Sequence, residues 1–254
     1  MPTSDSKSRF SDRVDAYVKA RPRYPEEVIS LLQRRIGLAD DWRIADVGSG
    51  TGISAGLFLD ASCEVFAVEP NGPMREAAET QLLRFAKFHS INASAEATTL
   101  PDRSMDLVVA AQAFHWFDQP AFRKECARIL KPNGHVLLMW NSRLTECDAF
   151  ARDYEKMLID FSTDYKAVNH QNIGDDDIAA FFQSKFEKML LPNAQHLDFE
   201  GIKARLLSSS YVPAEGDARQ QPMLETLARI FDLHQSNGQI QLQYETQLFL
   251  GWLN

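Results

Sequence analysis

The sequence predicts an α/β protein: a mostly parallel sheet with helices on its faces. Two patterns carry this. Five short apolar runs recur between residues 43 and 140 with helical stretches between them, and a glycine-rich turn follows the first run. Composition agrees, since 44% of the 254 residues are hydrophobic and 24% charged, ordinary proportions for a chain long enough to bury a large core.

The first ten residues are polar and serine-rich and read as a loose arm. From Ser11 to Ile36 the pattern is helical but breaks at Arg21-Pro22-Arg23-Tyr24-Pro25. Proline lacks a donor and pushes its predecessor out of the helical region, so a turn between two helices is expected there. The second helix starts near Pro25 with Glu26 and Glu27 in its first turn, where acids suit the helix dipole. Val28, Leu31, Leu32 and Ile36 form its apolar stripe.

The apolar runs that follow are Arg43-Ile44-Ala45-Asp46-Val47, Glu64-Val65-Phe66-Ala67-Val68, Phe88-His89-Ser90-Ile91-Asn92-Ala93, Asp106-Leu107-Val108-Val109-Ala110 and His135-Val136-Leu137-Leu138-Met139-Trp140. Helical candidates lie between them near 53–60, 73–85 and 119–130. Such alternation means parallel strands joined by right-handed crossovers. Beyond Trp140 the rhythm changes. A helix is expected over about 146–162, then a polar loop ending in Gly174-Asp175-Asp176-Asp177, whose acids cap a helix at 178–182. Residues 186–191 read as a strand, 200–209 and 217–235 as helices. Residues 239–246 alternate strictly between polar and apolar, the mark of a half-exposed strand. The expected organisation is a helical cover over 1–36, a sheet core over 37–142, and helical insertions with final strands of the same sheet over 143–254.

Charge and cysteine content narrow the function classes. With 27 Lys+Arg against 35 Asp+Glu the formal net charge is -8, which argues against a protein that lives on nucleic-acid phosphates. Cys63, Cys126 and Cys147 are too few and too scattered for a disulfide framework or a four-ligand zinc site. No apolar stretch reaches the roughly 18 residues of a membrane span, and the N-terminus lacks the apolar run of a signal peptide. The expectation is a cytoplasmic protein without nucleic-acid or membrane partners and without a metal, its oligomeric state left open. Asp175-Asp176-Asp177 does not alter that, because three consecutive side chains diverge. Arg9 and Arg13, interleaved with Asp12 and Asp15, read as a solvated helix face; His89, His135, His170, His196 and His234 read as structural or surface residues.

The strongest local signal is Asp46-Val47-Gly48-Ser49-Gly50-Thr51-Gly52, directly after the first strand. Its glycines let the backbone turn tightly and approach a ligand closely. A turn at this end of the first strand is where doubly wound sheets bind nucleotides. The dinucleotide fingerprint G-x-G-x-x-G is not met: Gly52 arrives one residue early and Ile53 stands where the third glycine belongs. That suits an adenosine-bearing ligand without a pyrophosphate. Glu69 closes the second strand about 20 residues on, where an acid can accept bonds from both ribose hydroxyls.

These residues resemble those of class I S-adenosylmethionine-dependent methyltransferases, over about residues 10–142. The glycine loop is similar to the first motif of that family and Val68-Glu69-Pro70-Asn71 to the second. Ala95-Glu96 with Leu100-Pro101-Asp102-Arg103-Ser104-Met105-Asp106 resembles the segment beside the adenine. Arg128-Ile129-Leu130-Lys131-Pro132-Asn133-Gly134-His135 resembles the approach to the fifth strand. Tyr17, Arg21-Pro22 and Tyr24-Pro25, with Gln112-Ala113-Phe114-His115-Trp116-Phe117, resemble the branch of small-molecule and trans-aconitate-like methyltransferases.

The resemblance implies a Rossmann-like seven-stranded sheet with its last strand antiparallel, S-adenosyl-L-methionine as cofactor and a small-molecule acceptor. It implies Gly48, Ser49, Gly50 and Gly52 beneath the methionine part, with Asp46 ordering that loop or meeting the cofactor amine. Glu69 would hold the ribose, Pro70, Asn71 and Met74 the adenine side, and Ala95 and Glu96 the adenine edge. Gln112 would stand near the methionyl end. Arg21 would pair with the cofactor carboxylate, a bidentate use that suits arginine, with Tyr17 beside it. The acceptor pocket would take His115, Trp116, Tyr24 and Tyr211; Tyr17 and Tyr24 serve equally well as packing residues. His115 is the candidate general base, while as pure structure His115-Trp116-Phe117 is an aromatic cluster closing the sheet edge. Two rivals stand beside this reading. One is an NAD(P)-dependent oxidoreductase, against which the missing glycine counts; the other is a non-catalytic protein that kept the fold.

Overall fold

A computed structural model describes residues 20–163, 165, 174–209 and 211–253. The helix expected from Ser11, with Tyr17, and also His170, lie outside the described residues.

The sheet grows outward from its most apolar strand. β1 (Arg43–Val47) is buried at all but its first residue and pairs in parallel with β2 (Glu64–Val68) on one side and β4 (Met105–Ala111) on the other. β3 (Phe88–Ile91) extends the sheet beyond β2, and β5 (Leu130–Arg143) lies parallel to β4. β7 (Ile240–Gly251) then runs antiparallel between β5 and the edge strand β6 (Phe186–Leu197). The order is β3-β2-β1-β4-β5-β7-β6, so the expected seven strands with a reversed last strand are present.

Successive residues of a strand face opposite sides, and the two layers of helices use that alternation. Ala45, Val47, Val108 and Leu138 face α4 (Gln119–Ile129) and α6 (Asp175–Phe182), which bring Phe122, Cys126, Ile178 and Phe182. Ile44, Val65, Leu107 and Leu137 face α1 (Glu27–Ile36) and α2 (Ile53–Asp60), which bring Val28, Leu32, Ala55 and Phe58. α3 (Gly72–Leu82) closes the same side with Leu82. A third cluster joins α5 (Ala149–Phe161), α7 (Phe199–Leu207) and α8 (Gln220–His234) over the start of β7, with Leu158, Ile202, Leu206 and Leu227 at its centre. Among the described residues no helix is long and apolar enough to cross a membrane.

The elements fall where the pattern puts them, with informative differences at their ends. β3 stops at Ile91, short of Ala93. β5, β6 and β7 outrun their apolar stretches because each finds a ladder partner: β6 stays paired with β7 from Phe186 to Leu197, through the polar residues Asn193, Gln195 and His196. Pro192 is tolerated there because β6 is an edge strand. The acids before α6 are not its N-cap. Gly174 takes that place, Asp175–Asp177 fill the first turn, and the Asp177 carboxylate accepts the Gly174 N–H at 2.9 Å.

Candidate active site

The chain leaves β1 to build one flank of the sheet through β2 and β3, then returns to build the other from β4. Loops after β1 and β4 therefore diverge and open a crevice at the carboxyl edge, the usual ligand position in such sheets. Val47 lies beside Val68 and Asp46 beside Val109, so the glycine loop, Glu69 and Gln112 all emerge at that edge.

The loop between β1 and α2 turns through left-handed backbone at Gly48, Gly50 and Gly52. These glycines are not equivalent. A Cβ on Gly48 would stand 2.6 Å from Ala113 Cβ, so that glycine lets the loop pack on the segment after β4. A Cβ on Gly50 would meet only Met74 Sδ, at 3.8 Å, and would otherwise project into the crevice. Gly52 is packed against Leu82 of α3 and does not line the crevice.

Glu69 ties this loop to the next one. One carboxylate oxygen accepts the Gly50 N–H at 2.9 Å and the other the Asn71 N–H at 2.8 Å. Asn71 caps α3 by accepting the Met74 N–H. Burial raises the pKa of Glu69, opposed by those two amide bonds and by Arg75, whose guanidinium donates to the Glu69 carbonyl. Asp46 lies beneath, fully buried. Ser54 Oγ donates to its Oδ2 at 2.7 Å while Oδ1 has no partner. Burial, and secondarily the charge of Glu69, pushes its carboxyl up to about 7 against the pull of the Ser54 and Ala55 hydrogen bonds. Asp46 thus sits behind the loop rather than on the crevice wall, in the loop-ordering place.

The crevice encloses about 1190 Å³ of empty space, counted out to its open mouth. Its floor is Gly48, Ser49 and Gly50, with Glu69, Pro70, Asn71 and Met74 along one wall. Ala95, Glu96 and Gln112 line it further on, and Arg21, Tyr24 and Trp116 close it. Gln112 is held by a left-handed backbone and by donation to the Asn141 carbonyl at 3.1 Å. Arg21 donates to the Ser208 carbonyl at 2.9 Å.

Besides Asp46 and Gly52, two further expected residues are not on these walls. His115 belongs to a single 3₁₀ turn, Phe114–Trp116, and its ring tilts against Trp116 at 4.8 Å. Phe114 and Phe117 both pack on Phe122, as the aromatic-cluster reading has it. Tyr211 packs against Tyr165 in the third apolar cluster. Conversely, Thr51, Asn141 and Arg205 line the crevice without having been singled out. Arg205 had a signal to find: it falls in register with Ile202 and Leu206 on the buried stripe of α7.

Residues 45–138 match the family model of a methyltransferase domain. An uncharacterized methyltransferase of Mycobacterium tuberculosis is 34% identical over 139 residues, 55% of this chain and 54% of that protein, so the chain spans about half the length of such relatives. An uncharacterized methyltransferase-like protein of Schizosaccharomyces pombe is 27% identical over 244 residues, 94% of this chain and 93% of its own length. The solved structure of a type II methyltransferase from Anaeromyxobacter dehalogenans superposes with a TM-score of 0.65 at 21% identity, over 91% of this chain and 97% of that one, and shares the fold. With the sheet order and the glycine loop already described, these matches make residues 45–138 similar to a methyltransferase domain set in a fold that solved methyltransferases share.

Proposed function

We propose that the protein transfers a methyl group from S-adenosyl-L-methionine to a small-molecule acceptor by direct displacement. One observation carries the reading. Around the loop that Gly50 leaves open, Asp46 Oδ1, Ser49 Oγ and Thr51 Oγ1 are buried without partners. Each orphaned polar atom costs about 1–3 kcal/mol, and a polar ligand in the crevice is what would answer Ser49 and Thr51, which line it.

The surrounding residues fit that cofactor. Both oxygens of Glu69 keep lone pairs beyond their amide bonds, enough for two ribose hydroxyls. Met74 and Ala95 offer apolar surface for a flat base, and Arg21 offers a cation for a carboxylate. When bound, the cofactor supplies a methyl on a positive sulfur that leaves readily. The chain's own part is to align the partners and exclude water, the work of Tyr24, Trp116 and Phe117 on the closing walls. Alignment is worth up to about 7–11 kcal/mol. His115, off the crevice wall, is assigned the support of Trp116. The free thiols Cys63, Cys126 and Cys147 support a cytoplasmic setting.

Calorimetric titration with S-adenosylmethionine and S-adenosylhomocysteine tests this. Both should bind the wild type, and Glu69→Ala and Gly50→Arg should each weaken binding about 10-fold or more. Unchanged binding in the variants, or tight NADH binding with none of the S-adenosyl compounds, would overturn the reading.

A further inference from the structure

One charge on the crevice wall has no acid paired with it among the described residues. Arg205 of α7 lines the crevice and is only 8% exposed. Arginine stays protonated in proteins, so a full positive charge is held there. Its neighbours on the helix, Ile202 and Leu206, are fully buried, so the stripe that carries the guanidinium faces inward. Nε donates to the Tyr244 hydroxyl and Nη1 to Ser209 Oγ, both at 3.1 Å. Tyr244 in turn donates to Gln195 Oε1 at 2.8 Å, and the Gln195 amide donates to the Ala20 carbonyl. Every one of these partners is neutral.

Other arginines of the fold give the contrast. Arg143, nearly as buried, is answered by Glu155, and Arg128 by Glu125 and Asp102. Among the described residues no carboxylate forms an ion pair with Arg205. A desolvated cation held by neutral groups alone is costly to the fold. The relay from Ala20 through Gln195 and Tyr244 fixes the direction of the fork while leaving its Nη2 edge uncommitted.

We propose that Arg205 binds a singly charged carboxylate of the methyl acceptor and makes the enzyme select acids over their neutral isosteres. This rests on the methyl-transfer reading of the crevice. The placement favours the acceptor over the cofactor. Arg205 comes from the helical layer over the crevice, whereas the nucleoside-binding features lie on the loops after β1 and β2. Glu69 and Glu96 on the same walls repel a second negative charge, which favours a carboxylate over a phosphate dianion.

The test is calorimetry on full-length protein saturated with S-adenosylhomocysteine. Benzoate and hexanoate are the probes, each beside its primary amide, with inorganic phosphate as a third arm. Wild type should bind each acid at least about 10-fold more tightly than its amide, and Arg205→Met should abolish the difference. Arg205→Lys, which keeps charge and bulk, should keep the preference for acids while binding them more weakly, so the comparison survives if the methionine variant does not fold. No acid–amide difference in wild type, the same difference in Arg205→Met, or phosphate binding best would each overturn the proposal. A comparable loss of S-adenosylhomocysteine affinity in Arg205→Met would assign the residue to the cofactor and overturn it as well. Failure of wild type to bind S-adenosylhomocysteine would instead sink the methyl-transfer reading, and the acid–amide comparison without it would still report on Arg205.

Discussion

Asp46 is placed where the free protein bears a cost. Its carboxyl is fully buried with one oxygen unanswered, and burial pushes it up to about 7 from an ordinary 3.8. Between those values the folded chain holds a proton that the unfolded chain has released. Stability therefore falls as pH rises from about 4 to about 7, by up to roughly 4 kcal/mol at the top of the window. Asp46→Asn should remove that slope: in urea titrations at pH 5 and pH 8, the wild type should lose more stability between the two than the variant does. Equal losses would show that Asp46 is not the titrating group. The glycines and Glu69 were legible in the sequence because a tight turn between a strand and a helix permits few residue types. Arg205 was not. Charges on a helix usually snorkel outward, and only the register with Ile202 and Leu206 betrays one that does not.

α4 shows how a helix placed correctly from its periodicity acquires a second task. Glu125 is 7% exposed and accepts the Thr98 N–H at 2.7 Å, the Thr98 hydroxyl at 2.5 Å and two bonds from Arg128. It thereby pins to α4 the segment that carries Ala95 and Glu96 to the crevice. Glu125→Ala leaves the Thr98 amide and hydroxyl without their acceptor and Arg128 with Asp102 alone, and should cost about 1–3 kcal/mol in thermal unfolding. Hydrogen exchange should also accelerate at the Thr98 amide; an unchanged rate there would mean that the segment is held by other contacts. The N-terminal turn has the same character. Its prolines announced the break, but nothing announced what fastens it. Asn141 and Asn193 donate to the Arg23 carbonyl, and Gln195 to that of Ala20. Such bonds join residues more than a hundred positions apart and leave no periodic trace, so Asn141 on the crevice wall stayed invisible in the sequence.

The molecule as a whole extends well past residues 45–138, the segment that matches the methyltransferase-domain model. β5 pairs with β7 from Val136 to Gly251 and from Arg143 to Tyr244, and Leu248 and Leu250 complete the core beneath Leu137 and Met139. A fragment ending at residue 143 would bare that edge and half of that core. It should lack the cooperative thermal transition of the full chain in circular dichroism; a sharp transition in the fragment would show that the final strands are dispensable. The doubly wound half of the sheet was readable because buried parallel strands are short and apolar, whereas β6 beyond Leu191 is polar and exists through its ladder alone. The position of β7 has a consequence in time. It is the strand that joins β6 to the rest, yet it is translated after β6. During synthesis β6 therefore emerges before the strand it pairs with, and the place between β5 and β6 stays unfilled until β7 is made. The nascent chain is most exposed to sticking or to chaperone capture in that interval.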